Sequence, residues 1–76
     1  MPLDVRGQIA AEVRAEMARQ MKGQRELAEL LGVDQGSTSL RLQGERSFRA
    51  EELVRVAEWL GIPIGRLTPA VTEQVA

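Results

Sequence analysis

The sequence predicts an all-α fold of four to five short helices. Three observations carry this: apolar side chains return at helical spacing in each segment, glycine stands at three helix ends, and proline is confined to termini and loops. No stretch shows the two-residue alternation of a strand. At 76 residues and 8.4 kDa there is room for one domain, which buries only roughly 60% of what its unfolded chain exposes. A single domain is therefore expected over residues 1–76, with its core at about 4–67 and a tail at 68–76.

Val5, Ile9, Val13, Met17 and Met21 recur every four residues with Ala10 and Ala18 beside them, the stripe of an amphipathic helix that Asp4 can cap. Both methionines are expected to fill core space. Gly23 interrupts the stripe. In QRELAELLG, Leu27, Ala28, Leu30 and Leu31 form one apolar face over about two turns, and Gly32 fits the left-handed position that ends a helix. Asp34 is a strong N-cap for a third helix running to about Gln43 and ended by Gly44. The loop ERSFR offers Ser47 as a cap and Phe48 as an anchoring aromatic. Leu53, Val56, Ala57 and Leu60 place a fourth helix that Gly61 and Pro63 end. Residues 64–67 fit one further turn, stopped at Thr68-Pro69, and AVTEQVA either frays or lies on a partner.

Composition narrows the function. Apolar residues make up 43% and charged ones 28%, the balance of a folding domain rather than a disordered tail. Cys and His are both absent, which removes disulfides, thiolate nucleophiles, the usual zinc ligands and imidazole catalysis. Ser37 and Ser39 have no His or Lys base at workable positions, and Glu51-Glu52 suits the macrodipole at the start of the fourth helix. An enzyme is not expected, nor are a cofactor, a metal or a small-molecule ligand. No run approaches 18 apolar residues and MPLDVRGQ lacks the regions of a signal peptide, so a cytoplasmic protein without a membrane partner is expected.

The net charge of -1 argues against a protein that coats nucleic acid through bulk positive charge, but the distribution is uneven. Residues 1–17 sum to -1 and residues 50–76 to -2, whereas residues 18–49 carry an excess of +2. That middle segment also holds the most unusual helix. In DQGSTSLRLQG only Leu40 and Leu42 are large and apolar, while Gln35, Ser37, Thr38, Ser39 and Gln43 are hydrogen-bonding side chains. So polar a helix gains little from burial, and its face is better explained if it meets something polar. Two short helices joined by about three residues containing Gly form a helix-turn-helix pattern. The major groove of B-DNA admits one helix, and Gln, Ser and an exposed Leu suit its adenine edges, mixed polar groups and thymine methyls. Gly36 costs about 1 kcal/mol in a helix interior relative to Ala, so it answers either a close approach or a tolerant first turn.

The segment QRELAELLGVDQGSTSLRLQGER resembles the helix-turn-helix of the Cro/phage-repressor (xenobiotic response element) family of bacterial and phage transcription regulators, a lambda-repressor-like fold. The resemblance covers roughly residues 10–67. It rests on Gln24, Glu26-Leu27-Ala28, Leu31-Gly32-Val33, Gly44 and the Leu53, Val56-Ala57, Leu60-Gly61-Ile62 pattern. It implies that Gln24 binds a backbone phosphate and pairs with Gln35, and that Gln35, Gly36, Ser39 and Leu40 face bases, with Ser37 joining them. It also implies phosphate contacts from Gln43, Arg46 and Arg49, to which Lys22, Arg25 and Arg41 are added. Four positions depart from the family pattern. Lys22 stands at a packing position, so Met21 is expected to take over the packing while Lys22 turns to phosphate. Thr38 brings a hydroxyl to the core edge, Asp34 puts negative charge near DNA, and the Arg41 stem is expected to pack while its head reaches solvent or phosphate.

Trp59 belongs either to the core against the C-terminal turn or to a dimer contact. With one recognition helix covering about 4–5 base pairs, a homodimer on palindromic double-stranded operator DNA is expected. Its contacts would come from Trp59, Ile62, Ile64, Leu67, Val71 and Val75. A repressor of this kind is the first expectation. The alternatives are an antitoxin-type autorepressor, an excision or architectural factor, and a protein-protein adaptor on the same fold.

Overall fold

The computed structural model describes residues 4–68. It contains α1 (Val5–Arg19), α2 (Gln24–Leu31), α3 (Gln35–Leu42), α4 (Ala50–Leu60) and a 3-10 turn (Ile64–Arg66). Among the described residues there is no strand, and no helix is long and apolar enough to cross a membrane.

The helix starts follow two local devices. In α1 and α3 an aspartate at the N-cap accepts from a backbone N–H three residues on, Asp4 from Gly7 and Asp34 from Ser37, both at 2.7 Å. In α2 and α4 a glutamate in the first turn reaches back instead: Glu26 accepts from the Gly23 N–H at 2.8 Å and Glu52 from the Arg49 N–H at 2.9 Å. Ser47, expected as a cap, does not serve as one, because α4 begins two residues later than a Ser47 cap requires and Arg49 is its N-cap residue.

The helix ends follow a third device. A residue in the left-handed region terminates each α-helix, and it is glycine at 32, 44 and 61. At the end of α1 it is Met21, with φ 57, in a motif closed by Lys22 N–H to Met17 O at 2.9 Å and Met21 N–H to Ala18 O at 3.2 Å. Met21 is 92% exposed, so the expected packing role is wrong: α1 ends at Arg19, and Met21 lies beyond its C-cap in the left-handed region, off the helical stripe that Met17 closes.

The core gathers Val13 and Met17 from α1, Leu27 and Leu31 from α2, Leu42 from α3, and Leu53, Val56, Ala57 and Leu60 from α4, closed by Leu67. Phe48, Trp59 and Ile62 pack against its edge, half-buried. α1 is also a strut for its neighbours' C-termini. Arg14 donates to the Leu42 carbonyl at the end of α3, and Gln20 donates to the Leu60 carbonyl at the end of α4 at 2.7 Å. A buried Glu16 beside Gln20 binds Arg19 and reaches Arg66 at 3.3 Å, clasping the 3-10 turn to α1. Among the described residues no buried side-chain polar atom lacks a partner.

Candidate nucleic-acid interface

Residues 32–34 join α2 to α3, and the two helices pack as the expected helix-turn-helix. The inner side of α3 presents Thr38, Arg41 and Leu42, all buried. Its outer side presents Gln35, Gly36 and Gln43, exposed, and Ser37, Ser39 and Leu40, half-buried. The polar face inferred from the sequence is therefore open to water.

Hydrogen bonds organise that face. Gln24, at the start of α2, donates its side-chain N–H to the Gln35 backbone carbonyl at 3.1 Å, so the expected pair forms through main chain rather than between amides. Gln43 donates to Ser39 Oγ at 3.0 Å, one turn back. Arg46 Nη1 lies 3.3 Å from Ser37 Oγ, and that hydroxyl faces Asp34 Oδ2 at 3.4 Å. The Asp34 carboxyl is held below its ordinary range, first by the Ser37 backbone N–H. A Cβ at Gly36 would stand 3.3 Å from Asp34 Oδ1, a tight contact that the capping carboxylate must yield to by a few tenths of an ångström, so the crowding at Gly36 comes from its own cap, a local cause that the sequence did not suggest.

Of the expected cationic positions, Arg25, Arg46 and Arg49 are exposed. Lys22 is half-buried with its ammonium 4.8 Å from the centre of the Trp59 ring, a cation–π contact. Arg41 departs from expectation. Its head is inside the protein, where Nε donates to Glu52 Oε1 at 3.0 Å, Nη2 to Glu52 Oε2 at 3.2 Å and Nη1 to the Ser37 carbonyl at 3.1 Å. Both side chains are buried, at 6% and 7% exposure, so this guanidinium reaches neither solvent nor a ligand on the surface. Burial works against charge on Glu52, but the Arg41 fork and the Arg49 N–H outweigh it and hold the carboxyl below its ordinary range. The Thr38 hydroxyl is satisfied by the Asp34 carbonyl at 2.9 Å.

Among the residues expected at a dimer contact, Trp59 and Ile62 are half-buried and Ile64 is 43% exposed. Leu67 is fully buried in the chain's own core and cannot face a partner; Val71 and Val75 lie outside the described residues. Val54, 48% exposed on α4, is an outward apolar side chain that the sequence did not single out, since it falls off the helix's core stripe. Among the described residues no group of three or more carboxylates is placed to hold a metal ion.

Solved structures share this architecture. The crystal structure of the clp gene regulator ClgR from C. glutamicum superposes with a TM-score of 0.78 at 28% sequence identity, covering 100% of this chain and 97% of that one. The hypothetical transcription factor NHTF from Neisseria does so with a TM-score of 0.74 at 21% identity, over 96% of this chain and 86% of that one. No protein-family model matches the sequence, and no curated protein matches it. The fold is that of helix-turn-helix transcription regulators.

Proposed function

We propose that the chain is a sequence-specific DNA-binding transcriptional regulator that occupies a palindromic operator as a homodimer, in the manner of a small Cro-like phage repressor. The observation that carries this is the outward face of α3, where amides and hydroxyls stand in water on a helix anchored by its opposite side. The major groove offers such a face its donors, acceptors and methyls. The likeness to a gene regulator along nearly the whole of both chains supports it. Base contacts are assigned to Gln35, Gly36, Ser37, Ser39 and Leu40. Phosphate contacts are assigned to Lys22, Gln24, Arg25, Gln43, Arg46 and Arg49, without Arg41. Trp59, Ile62 and Ile64 are assigned to the dimer contact, with half-sites about 34 Å apart.

The test is selection of a preferred duplex from a randomised pool, followed by gel shifts with Gln35→Ala and Arg46→Ala. The first variant should lose sequence preference and the second should weaken all duplexes alike. Binding unchanged in both would favour a protein-protein adaptor, for which the net charge of -1 and the ionised Asp34 beside Gln35 already speak.

A further inference from the structure

We infer that the buried Arg41–Glu52 pair fixes the roll of α3 about its own axis and is thereby a positioning device for sequence discrimination; this rests on the DNA-reading proposal above. Two parallel N–H···O bonds make the pair a fork, which constrains angle as well as distance. Each half of the fork is tied to backbone. The third guanidinium nitrogen binds the Ser37 carbonyl one turn back on α3, and Glu52 Oε1 also accepts from the Arg49 N–H at the start of α4. A continuous polar chain therefore runs from the main chain of α3 to the main chain of α4.

The other tertiary hydrogen bonds on α3 meet main-chain atoms near its axis, Gln24 at the Gln35 carbonyl and Arg14 at the Leu42 carbonyl, and so fix the ends of the helix more than its roll. The only other buried side chains of α3 are Thr38 and Leu42, a narrow strip on an eight-residue helix. A roll of about 20° would move side-chain tips, about 5–6 Å from the axis, by about 2 Å. That exceeds the tolerance of a hydrogen bond to a base edge. Contacts to phosphate from exposed arginines on the loop adapt to such a shift, because long side chains swing. Replacing a buried ion pair by apolar residues of similar volume is often neutral or stabilising. The particular contribution of a pair here is direction rather than stability.

The experiment compares wild type, Arg41→Lys and the double variant Arg41→Leu with Glu52→Leu. The duplexes are one selected by the wild-type protein from a randomised pool and a scrambled duplex of the same composition. Urea unfolding and the salt dependence of binding are measured beside the affinities. Lysine keeps the charge but cannot form the fork. Both variants are expected to fold, to bind the scrambled duplex with wild-type affinity and salt slope, and to lose preference for the selected duplex by about tenfold or more, the scale of one well-placed base contact. A folded variant that keeps its preference would overturn the inference, as would a double-leucine variant with wild-type discrimination, which would reduce the pair to filling space. Equal loss on both duplexes would also overturn it. A wild-type chain that selects no sequence would instead overturn the DNA-reading proposal itself.

Discussion

Met21 breaks two local preferences at once. A left-handed conformation costs a residue with a side chain about 1–2 kcal/mol, and at 92% exposure the thioether recovers nothing from burial. Met21→Gly should therefore raise the free energy of unfolding by about 1 kcal/mol, seen as a higher urea midpoint at constant slope. An unchanged or lowered midpoint would show that Met21 makes a stabilising contact in solution. The carboxylates make a second prediction. Glu16 is held below its ordinary range first by the Gln20 amide and then by Arg19 and Arg66, Asp34 by the Ser37 N–H, and Glu52 by Arg41 against its burial. The unfolded chain then binds more protons in acid, so this stability is complete above the ordinary carboxylate range, about pH 4–4.5, and is lost as pH falls through the lower folded-state values. Urea midpoints should stay flat from about pH 7 to 5 and drop below about pH 4, more gently in Glu52→Gln. The caps Asp4 and Asp34 were legible because donor and acceptor lie within one turn of chain. Arg41 was misread because its partner lies beyond a loop, on a face that only tertiary packing defines.

At the scale of elements, α3 is eight residues long, a length at which an isolated helix is marginal, so its ends and neighbours hold it. Asp34 satisfies one end, Arg14 of α1 satisfies the other, and Gly44 lets the next loop pass α1 so closely that a Cβ there would stand 3.1 Å from Gly7 Cα. Asp34 also places a negative charge at the start of the helix that is proposed to read DNA. Asn caps as well as Asp, so Asp34→Asn should leave stability within about 0.5 kcal/mol while tightening binding to scrambled and selected duplexes alike. Weaker binding would mean instead that the carboxylate accepts a hydrogen bond from a base. Helix boundaries were largely readable, since aspartate caps and glycine ends are chemical signals in the chain. The start of α4 was not, because its cap is a glutamate reaching back to an arginine, and the end of α1 was not, because a methionine holds the place usually given to glycine. The strut role of Arg14 and Gln20 had no local signal at all, their acceptors lying 28 and 40 residues away.

At the scale of the whole molecule, most positions of the core followed from apolar spacing, Val5 and Met21 at the ends of the first stripe apart, while the outward apolar residues did not, since a sequence does not reveal which side chains a fold leaves over. The cations Lys22, Arg25, Arg46 and Arg49 belong to the one stretch with an excess of positive charge, in a chain whose net charge is -1. If the two copies of a dimer together neutralise about eight phosphates, affinity should fall by roughly 10^4 between 50 and 200 mM salt, measured by gel shift or anisotropy. A flat response would remove phosphate recognition from the proposal. The stacking of Lys22 on Trp59 then has a practical consequence. Trp59 is the sole indole of the chain, and its ring carries an ammonium that is also assigned to phosphate. Drawing that ammonium away changes the electric field on the chromophore, so unlabelled protein should report its own occupancy through the colour and intensity of its ultraviolet emission, and Lys22→Met should remove the ammonium's share of that change while leaving the share that comes from a dimer contact at Trp59.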